Sequence, residues 1–164
     1  MKPRTPLSGI EMLVLDVDGV LTDGRLYFGA RGETLKVFHA RDGHGLKLLQ
    51  ASGVEVAVIS GRRSAAVTAR MRELKVKSVM QGCADKVAAL FSLTRRLGIA
   101  PLACACMGDD TPDLPMMSAV GFAAAPADAH PLALSAAHWV SRAPGGHGAV
   151  RELADALLRA RHVV

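Results

Sequence analysis

Aromatic residues are scarce in this 164-residue sequence: one Trp, one Tyr and four Phe, 4% of the chain. Single-stranded nucleic acid is held largely by bases stacked on exposed rings, so a chain this poor in rings is a weak candidate for that work. No apolar run approaches the roughly 18 residues that a membrane-crossing helix needs. The most apolar early stretch, Met12 to Leu21, carries Asp16 and Asp18. The opening MKPRTPLSGIEM has basic residues but neither an apolar core nor a small-residue cleavage site, so no secretory signal is expected. Cysteine is limited to Cys83, Cys104 and Cys106. An odd count, with two thiols one residue apart in an apolar run, is no disulfide framework, and no CxxC pair or nearby histidine completes a zinc site. Buried thiols in a reducing cytoplasm are the expectation. Repeats, low-complexity tracts and linkers are also missing.

What is present is the balance of a folded globular protein: 50% hydrophobic and 21% charged residues, enough for one domain spanning residues 1–164. Twenty Lys and Arg against fifteen Asp and Glu leave a net charge of +5. Met12–Asp16 (MLVLD) reads as a buried parallel strand ending in an acid, followed by the Gly-punctuated loop DVDGVLTDG. Arg25–Phe28 and Glu33–His39 flank a Gly-rich turn and predict a β-hairpin. Its second arm alternates Leu35, Val37 and His39 against Thr34, Lys36 and Phe38, so both faces carry apolar groups and need more cover than the domain itself offers.

Beyond the hairpin, strand and helix alternate. Helices are expected over Gly45–Ala51, Ser64–Leu74, Asp85–Leu97, from Pro112, and over Val150–Arg161; strands over Val54–Ser60, Lys77–Met80, Ala103–Met107, Val120–Ala123 and His138–Val140. The Asp85–Leu97 helix is expected to bury Val87, Leu90, Phe91, Thr94 and Leu97. Such βα repetition predicts an α/β fold: a doubly wound, Rossmann-like parallel sheet with helices on both faces. Ligands of these sheets sit outside the carboxyl ends of the strands, where strand order reverses.

Two of the strands end in carboxylates: Asp16 and Asp18 after the first, and Asp109, Asp110 and Asp113 after Met107. As neighbours, these strands would bring five acids to one crevice, a self-repelling arrangement that a hard cation with oxygen ligands relieves. Mg²⁺ is the usual choice where phosphate is also handled. The bland alternative has the same acids capping helices and facing water separately, with Asp113 a first-turn acid. Ser60 at a strand tip could be a helix N-cap or a donor to an anion. Lys86 opens a helix, where its charge is unfavourable unless an anion stands beside it.

These residues resemble a family. DVDGVLTDG is similar to the first motif of the haloacid dehalogenase superfamily, VISGR (Val58–Arg62) to the second, Lys86 to the third, and MGDDTPD (Met107–Asp113) to the fourth. The resemblance implies Asp16 as nucleophile and Asp18 as general acid and base. It implies Ser60 and Lys86 as phosphate donors, and Mg²⁺ on the Asp16 carboxylate, the Asp18 backbone carbonyl and Asp109. Asp110 would act through water, and Asp113 would orient Lys86 and the metal site. The spacing between motifs leaves no room for a cap domain, so an uncapped site takes a macromolecule or borrows its lid from another subunit. GRLYFGARGETLKVFHARDGHGLKLL, PADAHP and APGGHGAVRE resemble the subfamily acting on 3-deoxy-D-manno-octulosonate 8-phosphate on the way to lipopolysaccharide. That likeness implies a homotetramer in the cytoplasm, with hairpins assembled centrally and neighbouring subunits closing each site over a small anionic sugar-acid phosphate. Substrate contacts would fall on a loop with His39, Arg41, Asp42 and Gly43, and on Lys47, Arg62 and Arg70. Lys47 departs from a position often held by Arg, and His147 from the Arg of a Gly-Gly-Arg-Gly segment. Three rivals remain: a phosphatase for a related nine-carbon sugar acid 9-phosphate, a non-catalytic oligomeric module of the same fold, and a nucleic-acid phosphatase or binder.

Overall fold

In the computed structural model, which describes residues 3–163, six parallel strands run in the order β5-β4-β1-β6-β7-β8. They are β1 (Met12–Leu15), β4 (Glu55–Ser60), β5 (Ser78–Gln81), β6 (Cys104–Met107), β7 (Phe122–Ala125) and β8 (Trp139–Val140). A separate antiparallel pair, β2 (Tyr27–Gly29) and β3 (Gly32–Leu35), forms the hairpin after β1. No cap domain is inserted among the described residues. The helices are α1 (Ala40–Ala51), α2 (Ala65–Glu73), α3 (Lys86–Leu97), α4 (Leu114–Ala119), α5 (Pro131–Ala136) and α6 (Ala149–Ala160).

The sheet is apolar on both sides because each face is covered, and the pleat sorts its residues. Leu13, Leu15, Val56, Val58, Ala105 and Met107 meet Leu46 and Leu49 of α1, Val67 and Met71 of α2, and Leu153 and Leu157 of α6. Their alternates Met12, Val14, Ala57, Ile59, Cys104 and Cys106 meet Leu90 and Leu93 of α3, Met116 and Met117 of α4, and Ala133 of α5. All these side chains are within a few per cent of full burial. The thiols behave as small core hydrophobes: Cys104 and Cys106 are buried and free, and burial pushes the Cys104 thiol up to about 12.

Several expectations shift. The hairpin arms are shorter than predicted: β3 ends at Leu35, and Lys36 turns inward. The Arg41-Asp42-Gly43 segment is not a loop but the first turns of α1, which starts five residues earlier than expected. Gly43 and Gly45 are poor helix formers yet are needed there for close packing. A Cβ at Gly43 would lie 3.0 Å from Leu74 Cδ2, and one at Gly45 3.0 Å from Arg151 Cδ and 3.1 Å from Ala154 Cβ on α6. The buried stripe of α3 is Ala89, Leu90, Leu93 and Thr94; Phe91 and Leu97 face outward. Helix α5 went unpredicted.

Candidate active site

Strand order reverses between β1 and β6, because the chain builds β4 and β5 on one side of β1 and then crosses to the other. Leu15 pairs with Val58 on one flank and Met107 on the other, and the Asp16 N–H donates to the Met107 carbonyl at 3.1 Å. This register sets the end of β1 between Ser60 and the β6 acids. The resulting hollow of about 340 Å³ is lined by Asp16, Asp18, Ser60, Arg62, Lys86, Asp109, Asp110 and Asp113 among others. A hollow of similar size at the amino ends of the strands, around Glu11, Glu55, Lys75 and Lys77, has no comparable cluster of acids.

Lys86 is buried, its Nζ 3.0 Å from Asp16 Oδ2 and 2.7 Å from Asp113 Oδ1. It opens α3, whose N-cap Asp85 accepts the Ala88 N–H at 2.9 Å. Burial opposes the ammonium charge, but the Asp16 and Asp113 carboxylates outweigh it and hold the group above the usual lysine range. Asp113 commits its other oxygen to the backbone N–H groups of Asp109 (3.0 Å) and Asp110 (3.3 Å). It thus fixes both the β6 loop and the lysine. Asp110 accepts the Thr111 N–H at 2.6 Å and is exposed at the rim. Ser60 Oγ accepts the Arg62 N–H at 3.3 Å.

Asp16, Asp109 and Asp113 each offer an oxygen within 4.8 Å of the others. Burial, with Asp113 beside it and Lys86 partly offsetting, pushes the Asp16 carboxyl up to about 6. Burial again, with Asp16, Asp113 and Asp110 nearby, pushes Asp109 up to about 7. One lysine is insufficient for three acids, and an all-oxygen set short of positive charge fits a hard divalent cation such as Mg²⁺. Both oxygens of Asp113 are engaged, one by Lys86 and the other by two amides, whereas Asp16 gives only Oδ2 to Lys86, so Asp16 and Asp109 are the carboxylates left to hold it. Gly19, at φ +84°, makes room: a Cβ there would lie 2.5 Å from Asp109 Cγ.

The other expected contacts scatter within one chain. Arg62 lies at the rim, 3.7 Å from Asp18 Oδ2, its guanidinium 5.6 Å from the Phe28 ring centroid. Gly43, Lys47 and Arg70 border a separate hollow, where Arg70 is paired with Glu73 at 2.8 Å. Arg41 is exposed, and His39 is the N-cap residue of α1 with a buried Nδ1 that has no partner. Asp42 is fully buried away from the acidic hollow, accepting the Arg151 N–H at 2.8 Å and the Gly148 N–H at 3.2 Å. It is a cap for α6 supplied by another helix. His147 is exposed on the loop whose glycines dock on the segment after Asp18; Gly146 N–H donates to the Val20 carbonyl at 3.0 Å.

Sequence reasoning missed Lys36 and Glu33. Lys36 is buried and ion-paired to both Asp18 and Glu33, whose carboxylate also meets the Ser64 hydroxyl. The alternation of the hairpin arm puts Lys36 on one face with Thr34 and Phe38 and does not say what that face meets. The only signal available was a charged pair at i and i+3 in a short strand beside an acidic motif.

A parallel sheet, an acid cluster at its switch point and a buried lysine shared between two acids define a metal-assisted phosphoryl-transfer hydrolase. Residues 78–153 match the family model of a haloacid dehalogenase-like hydrolase. The chain is 47% identical over 154 residues to the 3-deoxy-D-manno-octulosonate 8-phosphate phosphatase of Escherichia coli K12, covering 94% of this chain and 82% of that protein. The crystal structure of the Yersinia pestis phosphatase of the same name superposes with a TM-score of 0.93 at 44% identity, over 96% of this chain and 85% of that one. The Moraxella catarrhalis phosphatase, solved with a magnesium ion, a phosphate ion and a KDO molecule, superposes with a TM-score of 0.92 at 37% identity, over 95% and 90%. The chain belongs to the 3-deoxy-D-manno-octulosonate 8-phosphate phosphatase family of haloacid dehalogenase-like hydrolases.

Proposed function

We propose that this protein is a Mg²⁺-dependent phosphatase that hydrolyses 3-deoxy-D-manno-octulosonate 8-phosphate to the free sugar acid and phosphate, a step of lipopolysaccharide biosynthesis. The observation that carries it is the meeting of Asp16, Asp109 and Lys86 at the β1/β6 switch point, in a chain so similar to phosphatases of that name. Asp16 and Asp109, with the Asp18 backbone carbonyl, would hold the ion. When bound, it neutralises negative charge on the phosphoryl group and on the acids around it.

The rest is the work of the chain. Asp16 attacks phosphorus and forms an aspartyl-phosphate, dividing one hard displacement into two. Asp18, two residues further along the loop, gives a proton to the departing alcohol and takes one from the water that hydrolyses the intermediate. The Ser60 hydroxyl and Lys86 ammonium hold phosphoryl oxygens, with Lys86 aimed by Asp113. Arg62 at the rim, and the cations on α1 and α2, meet the sugar acid; Arg can grip a carboxylate bidentately where Lys47 acts as a point charge.

The site is open, and the hairpin exposes Leu26, Phe28, Leu35 and Val37. This apolar strip supports a homotetramer in which neighbouring subunits would close each site and bring His39, Arg41 and Gly43 within reach of an adjacent substrate. Among the described residues no helix is long and apolar enough to cross a membrane, and the free thiols suit the cytoplasm. A non-catalytic module has no use for a nucleophile, a buried lysine and a metal-ready acid cluster together. Phosphate release compared between eight- and nine-carbon sugar-acid phosphates tests the reading: a higher kcat/KM for the eight-carbon ester is expected, and a preference for the nine-carbon ester would reassign the substrate.

A further inference from the structure

Two acids and two cations bind the hairpin to the active site, and they are not equivalent. The Lys36 side chain is 1% exposed; its Nζ contacts Asp18 Oδ1 and lies 3.1 Å from Glu33 Oε2. Arg62 is 42% exposed and stands 3.7 Å from both Asp18 Oδ2 and Glu33 Oε2, too far for a hydrogen bond to either. Arg62 is therefore free to leave for an incoming anion, whereas Lys36 has nowhere else to go. Glu33 is anchored in turn by the Ser64 hydroxyl at the start of α2, so the lysine is braced by both the hairpin and the β4 end of the sheet.

We propose that Lys36 is a positioning residue for the phosphatase reaction: it pins Oδ1 of Asp18 and leaves Oδ2 as the oxygen that exchanges a proton with substrate and water. The inference rests on the function proposed above and extends it to a residue outside the four motifs. A carboxylate near the start of a glycine-punctuated loop rotates about χ1 and χ2 unless something holds it, and a misplacement of about 1 Å can cost about 10²-fold in rate. A buried ammonium on one oxygen removes that freedom while Asp18 stays 19% exposed toward the pocket. The transfer is balanced: the P–O bond to the sugar breaks, its electron pair stays on the sugar oxygen, and the Asp18 proton neutralises it. In the second half, water gives its proton back to Asp18 as it attacks the aspartyl-phosphate and frees inorganic phosphate.

The leaving group discriminates positioning from mere folding. An alkyl oxygen needs the Asp18 proton to depart, whereas p-nitrophenolate does not. With Lys36→Met, kcat on 3-deoxy-D-manno-octulosonate 8-phosphate should fall about 10- to 100-fold, with KM within about 3-fold. Single-turnover release of p-nitrophenolate from p-nitrophenyl phosphate, which reads the first step alone, should stay within about 3-fold of wild type. Lys36→Arg should restore part of the alkyl activity. Equal losses on both esters would show that Lys36 only docks the hairpin and would overturn the proposal. Wild-type kcat in Lys36→Met would do the same while leaving the phosphatase reading intact; an inactive wild-type enzyme would overturn both.

Discussion

Adding one methyl group to Gly19 separates the acid cluster from the backbone that carries it. Gly19 sits at φ +84°, and the Cβ of Gly19→Ala would overlap the Asp109 carboxylate, 2.5 Å from its Cγ. The left-handed conformation alone costs an L-residue about 1–2 kcal/mol. For a domain of this size that lowers Tm by about 2–8 °C. The collision adds a separate effect: Asp109 must turn from Asp16, so the Mg²⁺ concentration for half-maximal phosphate release should rise about 10- to 100-fold. Gly53 supplies the control, since it has the same φ of +84° with nothing within 4 Å of a built Cβ. Gly53→Ala should lose comparable Tm and keep the wild-type Mg²⁺ requirement. The assays are Mg²⁺ titrations of phosphate release and melting curves for both variants. If Gly19→Ala needs no more Mg²⁺ than Gly53→Ala, Asp109 is not a ligand and the reasoning fails.

Other perturbations reach other parts of the structure. Asp16 and Asp109 have folded-state values near 6 and 7, above those of an unfolded chain, so the cost of ionising them is absent below the unfolded range and complete above the folded one. Metal-free protein should therefore melt higher at pH 5 than at pH 8, and Mg²⁺ binding near pH 6.5 should release protons, seen by calorimetry in buffers of different ionisation enthalpy. A metal-binding heat independent of buffer would contradict this. Asp42→Ala removes the acceptor for two amides of α6 and should cost about 1–2 kcal/mol in urea unfolding; unchanged stability would deny the cap. Charging the hairpin with Leu35→Glu and Val37→Glu should reduce the particle mass in sedimentation equilibrium, and a variant that keeps the wild-type mass would remove the hairpin from the assembly.

The features legible in sequence were those with a local cause. A short apolar run ending in an acid marked β1 and β6, and α3 ends at Leu97 as expected, closed by Gly98 at φ +70°. The acid motifs pointed to one crevice because parallel sheets align their strand ends, and Lys86 stood out because a lysine at a helix start lacks a local reason. What escaped depended on distant partners. Gly43 reads as a loop residue and Gly45 as the start of a helix, yet both lie inside α1 and are glycines so that Arg70, Leu74 and α6 can come close. Lys36 carries no signal beyond its place in the hairpin alternation, because its partners Asp18 and Glu33 close around it only in the fold. Asp42 looked like a ligand contact, and its two acceptor bonds run instead to a helix more than a hundred residues away. Helix α5 is six residues begun by Pro131 and capped by the His130 ring, too short to show periodicity.

The most direct test of the central claim is phosphate release from 3-deoxy-D-manno-octulosonate 8-phosphate by wild-type protein and Asp16→Asn, each with Mg²⁺ and with a chelator. Rapid release only by the wild type with Mg²⁺, from a variant pair of equal fold and assembly, is the predicted result. Substantial turnover by Asp16→Asn, or turnover indifferent to chelation, would contradict it.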